Sequence, residues 1–575
     1  MTNPNLTSRA GTRRRWLGLA MLSIGVAMII VDATIVNVAV PSIARDLGLS
    51  GTTTEWVNTI YALVFAAFLV TMGRLGDQIG RRKMYLAGLA LFLFASVLAG
   101  FAPSGETLIG ARFLQGLGGA AILPSTQSIL NSNFQGRDRA IAFGVWGSVI
   151  GGMAALGPLI GGWLTTYLSW RWAFYVNVPI GLLAVVGTSM WLDESCDENA
   201  QGGFDPFGFV LITLGLASVV FGLIEGYTYG WTAPSRPFEL FGLRWPFDSV
   251  SIIPFTFLLG FAMLVAFAVV EIRRERAGKF FLFDFGLWRY PAFRYGNLAG
   301  TIVSLGEFGL LFVLPLFLQA VIGLSAFQVG LTILALAIGA FFAAPTSAPL
   351  ANRFGPRRVV TLGMALEAIG IFITTLLLSR DLNVLVLVPP LFIYGLGVGF
   401  ASAQLTSLIL ADVPPEVSGL ASGTNSMLRQ IGSALGIAIL GSVLFVSLGV
   451  GTGDRLAKIS GLPVAAQVAV RQAIEGSAGQ ALIGFRSGTV DPSLAKQFGS
   501  EMDPATLGQL GKEVASPIED AFVQSARMAG FAATGFVLLG LIFSLLLPKP
   551  KARNWTVADS IGSTPGLGEA PPSDV

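Results

Sequence analysis

Fourteen stretches of mostly apolar residues, separated by short charged loops, constrain this chain more than any other feature. They fall at about 16–40, 56–73, 84–101, 107–130, 140–166, 172–192, 207–225, 250–270, 295–318, 327–350, 359–379, 385–410, 419–447 and 522–547. A helix rises 1.5 Å per residue, so each run is long enough for a hydrocarbon core of about 30 Å. No water is available there to satisfy the backbone, which makes helix the only conformation such runs can take across lipid. Composition agrees: 53% of residues are hydrophobic and only 12% charged, with a mean hydropathy of +0.71, where a soluble domain carries about 25% charged residues. The 71 glycines fit too, because small residues let membrane helices approach closely. The pattern predicts an all-α integral membrane protein.

The titratable groups narrow the chemistry. There is no histidine and one cysteine, Cys196, so no imidazole shuttles protons, no intrachain disulfide forms and no metal site is expected. Proton handling falls mainly to carboxylates. The net charge of +3 is carried by short basic clusters between apolar runs, not by one basic face, which speaks against a nucleic-acid partner. The sequence has no paired-acid metal motif, nucleophile elbow or phosphate-binding loop, so neither an enzyme nor a cofactor is expected. The first apolar run is too long for a cleavable signal peptide and continues into Asp32 and Pro41 without a small-residue cleavage site.

Lys and Arg in the loops set the direction. With the N-terminus inside, the inner segments hold 22 basic residues and the short outer loops hold 5: Arg45, Arg171, Arg236, Arg244 and Arg380. Both termini are therefore expected to be cytoplasmic. Two inner loops break the trend. The segment Asp193-Glu194-Ser195-Cys196-Asp197-Glu198 is acidic, and 411–418 has no base; acidic residues contribute little to topology. The longest non-membrane stretch, about 449–520, falls outside and shows helical spacing from Val464 to Ile474. It is either a tolerated surface insertion or a cap or exit path.

Several strings carry chemistry. After the second run stands Gly73-Arg74-Leu75-Gly76-Asp77-Gln78-Ile79-Gly80-Arg81-Arg82-Lys83, with glycines for a tight turn and an acid suited to a helix N-terminus. A degenerate copy, Leu350 to Arg358, follows the tenth run but has Asn352 and Phe354 in place of the acid. Asp32 sits in mid-run, in Val31-Asp32-Ala33-Thr34-Ile35-Val36-Asn37-Val38-Ala39-Val40-Pro41. Such a carboxylate must face protein or water; it is either a packing residue hydrogen-bonded near Thr34 and Asn37 or a group that changes protonation. Arg112, in Arg112-Phe113-Leu114-Gln115-Gly116, stays charged and needs an acid, water or carbonyl dipoles. Gly157-Pro158-Leu159-Ile160-Gly161-Gly162 makes a bend and a bare packing surface.

The first of these strings resembles the signature loop of the major facilitator superfamily. The Asp32 string, together with Trp170 to Pro179, Gly419 to Gly423 and Arg429 to Gly432, resembles its fourteen-span drug:proton antiporter branch. The likeness covers about residues 14–447 and the last run. It implies a major facilitator fold: two pseudo-symmetric six-helix bundles plus two inserted helices, 14 transmembrane helices in all. The divisions are then 1–15 basic tail, 16–192 N-terminal bundle, 193–294 inserted helices and loops, 295–547 C-terminal bundle including 449–520, and 548–575 tail. It further implies a conformational latch at Gly73, Asp77 and Arg81, an exporter-type antiporter motif at Gly157, Pro158, Gly161 and Gly162, and a proton-coupling role for Asp32 and Arg112.

With the seventh and eighth runs removed, the first and ninth become symmetry mates, which places Asp32 and Glu307 at similar depth. Asp32, Arg112 and Glu307 are the expected proton-coupling residues; Asp32, Asn37 and Glu307 are expected at the substrate cavity. Glu307 alone is also readable as a substrate contact or a helix–helix hydrogen bond. Glu367, in a peripheral run, is expected to be structural or partly solvated. The resemblance thus implies a proton-coupled exporter of hydrophobic or cationic small molecules in a bacterial inner membrane, its partners being protons, those substrates and the lipid bilayer. The alternative cargo is an endogenous lipid or lipid-like metabolite.

Overall fold

The structure is a computed structural model that describes residues 9–134, 136–196, 205–240, 243–413, 418–459, 462, 464–477, 479, 481–487 and 504–548. The remainder of the basic tail, the segment 197–204, part of the outer stretch and the tail after Pro548 lie outside the described residues.

The first bundle is built from α1 (Arg9–Leu47), α2 (Gly51–Ile79), α3 (Arg81–Gly100), α4 (Gly105–Asn133), α5 (Gly136–Tyr167) and the nearly continuous pair α6 (Trp172–Tyr175) and α7 (Asn177–Trp191). Two inserted helices follow, α8 (Pro206–Tyr229) and α9 (Ile253–Arg276), joined by a loop with two short antiparallel strands, β1 (Glu239–Leu240) and β2 (Leu243–Arg244). The second bundle comprises α10 (Pro291–Ala320), α11 (Ala326–Phe354), α12 (Pro356–Leu377), α13 (Val388–Ile409), α14 (Ser418–Leu456) and the last helix, α17 (Pro504–Leu545). Between the last two lie the short helices α15 (Val464–Gly476) and α16 (Ala481–Ser487).

Twelve helices are long and apolar enough to cross a membrane, among the described residues. The other two long helices are α4, of 29 residues, which packs on α2 and α3, and α5, of 32, which packs on α1 and on α11 of the second bundle. The helices outrun the expected spans at two places. α14 continues to Leu456, and α17 begins at Pro504, inside the stretch expected to be an outer loop. Helix α15 covers the helical spacing seen from Val464. With α16 it buries Val470, Ile474, Leu482 and Phe485 against Ile518 and Phe522 of α17. Arg486 adds a hydrogen bond to the Val321 carbonyl (2.8 Å), so this segment caps the end of the second bundle.

The two bundles repeat one design. α2 starts on Ser50 and α11 on Ser325, each an N-cap whose side chain accepts a backbone N–H. α2 ends at Gly80 (φ +119°) and α11 at Gly355 (φ +87°), a backbone conformation that favours glycine. Gly88 of α3 packs on the Gly118 carbonyl of α4; Gly363 of α12 packs on the Gly397 carbonyl of α13. Eighteen residues before the two N-cap serines stand Asp32 and Glu307, so the two acids have the same spacing from their caps along the chain.

At the Ser50 end the bundles meet along two seams. Gly162 of α5 faces the backbone of Ala326 and Phe327, and Gly330 of α11 faces Pro158. Across the other seam, Gly51 of α2 lies against Phe445 of α14, and Gly441 of α14 lies against the carboxyl of Glu55. A hydrogen bond from Gln319 Nε2 on α10 to the Val38 carbonyl on α1 (3.0 Å) ties the same end together.

Candidate functional site

Asp32 and Arg112 meet in the middle of the first bundle. Both are buried, with side-chain exposures of 0% and 1%. Arg112 Nη1 donates to Asp32 Oδ2 at 2.5 Å, while Gln115 Nε2 (3.1 Å) and Asn177 Nδ2 (2.7 Å) donate to Oδ1. Five helices converge here. α1 supplies the acid, α4 supplies Arg112 and Gln115 one turn apart, and α7 supplies Asn177. From α3, Ser96 accepts from Gln115 (2.9 Å), and from α2 the Val57 carbonyl accepts from Arg112 Nε (3.3 Å). The guanidinium also lies 4.2 Å from the Tyr61 ring centroid, a cation–π contact. An unpaired charge at this depth would cost several kcal/mol, and both carboxylate oxygens and the guanidinium have partners set against that cost; the Asn177 Oδ1 is buried without one.

The second bundle holds a different arrangement. Gly296 and Gly300 of α10 pack on Ile409 and Leu405 of α13, and Glu307 continues that stripe two turns further on. Glu307 is half-buried, and the charge of Arg429 on α14 acts on it. Behind it, at the crossing of α12 and α13, are Glu367 (1% exposed) and Tyr394 (0% exposed). Gly370 lets α12 approach the Tyr394 backbone, and Gly397 lets α13 approach that of Glu367. One Glu367 oxygen and the Tyr394 hydroxyl are buried without a hydrogen-bond partner. The charge of Glu307 acts on Glu367.

The antiporter-type string links the first centre to the seam. Gly157 sits against Thr34, and Gly161 lies against the Ile35 backbone, where a Cβ would come within 2.9 Å of the Ile35 carbonyl. Gly162 points the other way, onto α11. Helix α5 therefore touches both the Asp32 helix and the opposite bundle.

A family model described as Major Facilitator Superfamily matches residues 22–437. The chain belongs to the major facilitator superfamily. This facilitator is accordingly a multi-pass membrane transporter and not an enzyme. Its relatives are drug and antibiotic transporters. A probable actinorhodin transporter of Streptomyces coelicolor is 34% identical over 447 residues, 76% of this chain and 73% of that protein. The multidrug efflux pump LfrA of Mycolicibacterium smegmatis is 33% identical over 438 residues, 76% of this chain and 82% of its own. The multidrug transporter MdtP of Bacillus subtilis is 28% identical but spans 95% of both chains. Among solved structures, a bacterial homologue of the lysosomal transporter Spinster superposes with a TM-score of 0.57 over 95% of this chain and 98% of its own, at 16% identity; it shows the fold alone.

The structure brings Asp32 and Arg112 together and leaves Glu307 in the other bundle. Asn37 faces its own bundle: its Oδ1 accepts from Asn58 Nδ2 at 3.0 Å. In the signature loop, Arg81 Nε donates to Asp77 Oδ1 (2.7 Å), and Gly73 lies against Pro124 of α4. Ser96, Gln115 and Asn177 were not singled out as site residues from sequence. The available signal was an amide or hydroxyl in mid-run, as at Gln115 and Asn177, with no indication of its partner.

Proposed function

We propose that this facilitator exports small hydrophobic or cationic compounds in exchange for protons, by alternating access across a bacterial inner membrane, with both termini in the cytoplasm and fourteen spans. The observation that carries it is the complete shell of donors around Asp32. Both carboxylate oxygens are already occupied by Arg112, Gln115 and Asn177, while the seams at the Ser50 end are closed. That combination is the proton-released half of an exchange cycle. Parting the seams moves α5, and through Gly157 and Gly161 it moves α1, drawing Asp32 off Arg112 so that it takes a proton from outside. Glu307, half-buried and less closely surrounded, is the group that meets a cationic cargo. Membrane potential adds about 2.3 kcal/mol per charge per 100 mV. The signature loop and its Asp77–Arg81 pair form the inner latch. The names of the Streptomyces and mycobacterial relatives support the cargo class.

In proteoliposomes with an imposed pH gradient, an ethidium-like cation is expected to move against the proton flow. Asp32→Asn is expected to stop exchange, and Glu307→Gln to stop gradient-driven uptake of the cation. Uptake that ignores the gradient, or that survives Asp32→Asn unchanged, contradicts the proposal.

A further inference from the structure

Outside the two centres described above, a third buried carboxylate lies in the seam itself. Glu55, near the start of α2, is 1% exposed, and one of its oxygens is buried with no hydrogen-bond partner. Its carboxyl carbon and oxygen press on Gly441 of α14, where a Cβ would come within 2.7 Å. The carboxyl therefore lies between the two bundles, at a contact that must part each time the outer side opens.

The inserted helix α8 straddles the same contact. Trp56 Nε1 on α2 donates to Glu225 Oε1 on α8 at 3.1 Å. Two residues earlier on α8, the Leu223 carbonyl accepts from Ser442 Oγ on α14 at 2.5 Å. One hydrogen bond thus reaches each bundle, and Glu225 is the charged group on α8 that acts on Glu55. Charges on the other helices are turned elsewhere. On α1, Asp46 accepts from Trp170 and Arg171, and Arg45 bonds to Pro41 and Ser42. Arg112 on α4 is committed to Asp32, and α14 presents Gly441 and Phe445. Glu55 and Glu225 therefore belong to one closed seam, and among the described residues neither carboxylate makes a salt bridge. A second negative charge in such a place is far more costly than a protonated carboxyl.

We propose that Glu55 is a proton-binding site of the outer seam, filled when α2 closes on α14 and emptied when the bundles part, with α8 and its Glu225 as the clasp. The sign follows directly. A proton is held in the closed state and released to the outside solution in the open one, so acid outside favours closure and alkali favours opening. This gives the inserted helix pair a task, sensing external pH at the gate. It rests on alternating access as proposed above, and its linkage runs opposite to that of Asp32, which takes its proton in the open state.

The test uses the full chain with Cys196→Ser and spin labels introduced at Leu168 and Leu385, both exposed at the Ser50 end. Interspin distances are measured in nanodiscs between about pH 5 and about pH 9, the interval in which perturbed carboxylates titrate. With Asp32→Asn in the labelled protein, which removes the opposing proton that Asp32 takes up in the open state, the closed-to-open ratio is expected to fall with rising pH, by up to about tenfold per pH unit for one linked proton. Glu55→Gln is expected to remain closed throughout and to lose the dependence attributable to that proton. Glu225→Gln, which keeps the Trp56 bond but removes the repelling charge, is expected to move the midpoint to lower pH. An infrared band of a protonated carboxyl, present at neutral pH and missing in Glu55→Gln, identifies the site without reference to motion. Glu55→Gln that leaves the titration of the Asp32→Asn protein unchanged overturns the proposal, as does an Asp32→Asn protein with no pH response. Should Glu55→Gln fail to fold, an unchanged midpoint in Glu225→Gln has the same force. Loss of gradient-driven export with the distance response intact would count against the exchange reading alone.

Discussion

Asp32 and Arg112 form a buried pair whose energetics are asymmetric. Keeping both charges is tolerable because Gln115, Asn177 and the Val57 carbonyl complete the shell; removing one partner strands the other at a cost of about 3–5 kcal/mol. Asp32→Ala is therefore expected to lower thermal stability in detergent by that order. The double change Asp32→Ala with Arg112→Leu should recover much of the loss, since no uncompensated charge remains. Recovery of folding without recovery of transport would assign the pair to coupling; a double variant no more stable than the single one would show that the charges are not the issue. Glu307 offers the contrast. It is half-buried, so Glu307→Gln is expected to leave the melting behaviour within about 1 kcal/mol of the parent while abolishing coupling, as read by gradient-driven uptake.

At the scale of elements, the acidic loop after α7 has a structural task that topology rules miss. Gly80 adopts φ +119° and opens α3, whose first amides need partners. Glu194 supplies them, accepting from Arg82 N (3.0 Å) and Lys83 N (3.1 Å). Asp193 pairs with Arg14 (2.8 Å), and Arg82 reaches the Ser189 carbonyl (2.7 Å). Glu194→Ala is expected to cost about 0.5–2 kcal/mol, as for other N-caps, and to loosen the signature loop, measurable as faster amide exchange over the first turn of α3. The helices were legible in the sequence because long apolar runs have one solution in lipid, and the two-fold design was legible in the recurrent loop. Asp32 and Arg112 stood out for the same reason, as charges in mid-run. Their amide partners did not, because Asn177 lies 145 residues from Asp32 and nothing local announces the contact. Glu55 lies one residue outside the run at 56–73, and nothing local announces its contact with Gly441, on a helix nearly four hundred residues away in sequence. Glu367, expected to be structural or partly solvated, is buried with one unpartnered oxygen. Helix ends such as Leu456 and Pro504 were missed because hydropathy marks where lipid ends, not where hydrogen bonding does.

In the proposed alternating access two bundles meet and part, and glycines decide how closely they meet. At the α5–α11 seam, Gly162 and Gly330 put backbone against backbone: a Cβ at residue 162 would crowd Ala326 and Phe327, and one at 330 would crowd Pro158 and Leu159. Neither neighbour is a flexible side-chain tip that swings aside; each is main chain held in a helix. Gly162→Val and Gly330→Val are therefore expected to disfavour the closed seam without removing any charged or hydrogen-bonding group. Each bundle keeps its own core, so the folded state survives; what shifts is the balance between seam closed and seam open. A destabilisation of about 2–3 kcal/mol, ordinary for overpacking, alters that balance by roughly 30- to 150-fold. Gradient-driven export is expected to fall by a comparable factor, and the labels at Leu168 and Leu385 should report a longer mean distance at every pH. Gly423, with open space around its Cβ position, is the control: Gly423→Ala should change neither distance nor transport. Equal losses at Gly162 and Gly423 would mean that the glycines serve general helix packing and not the closing of the seam.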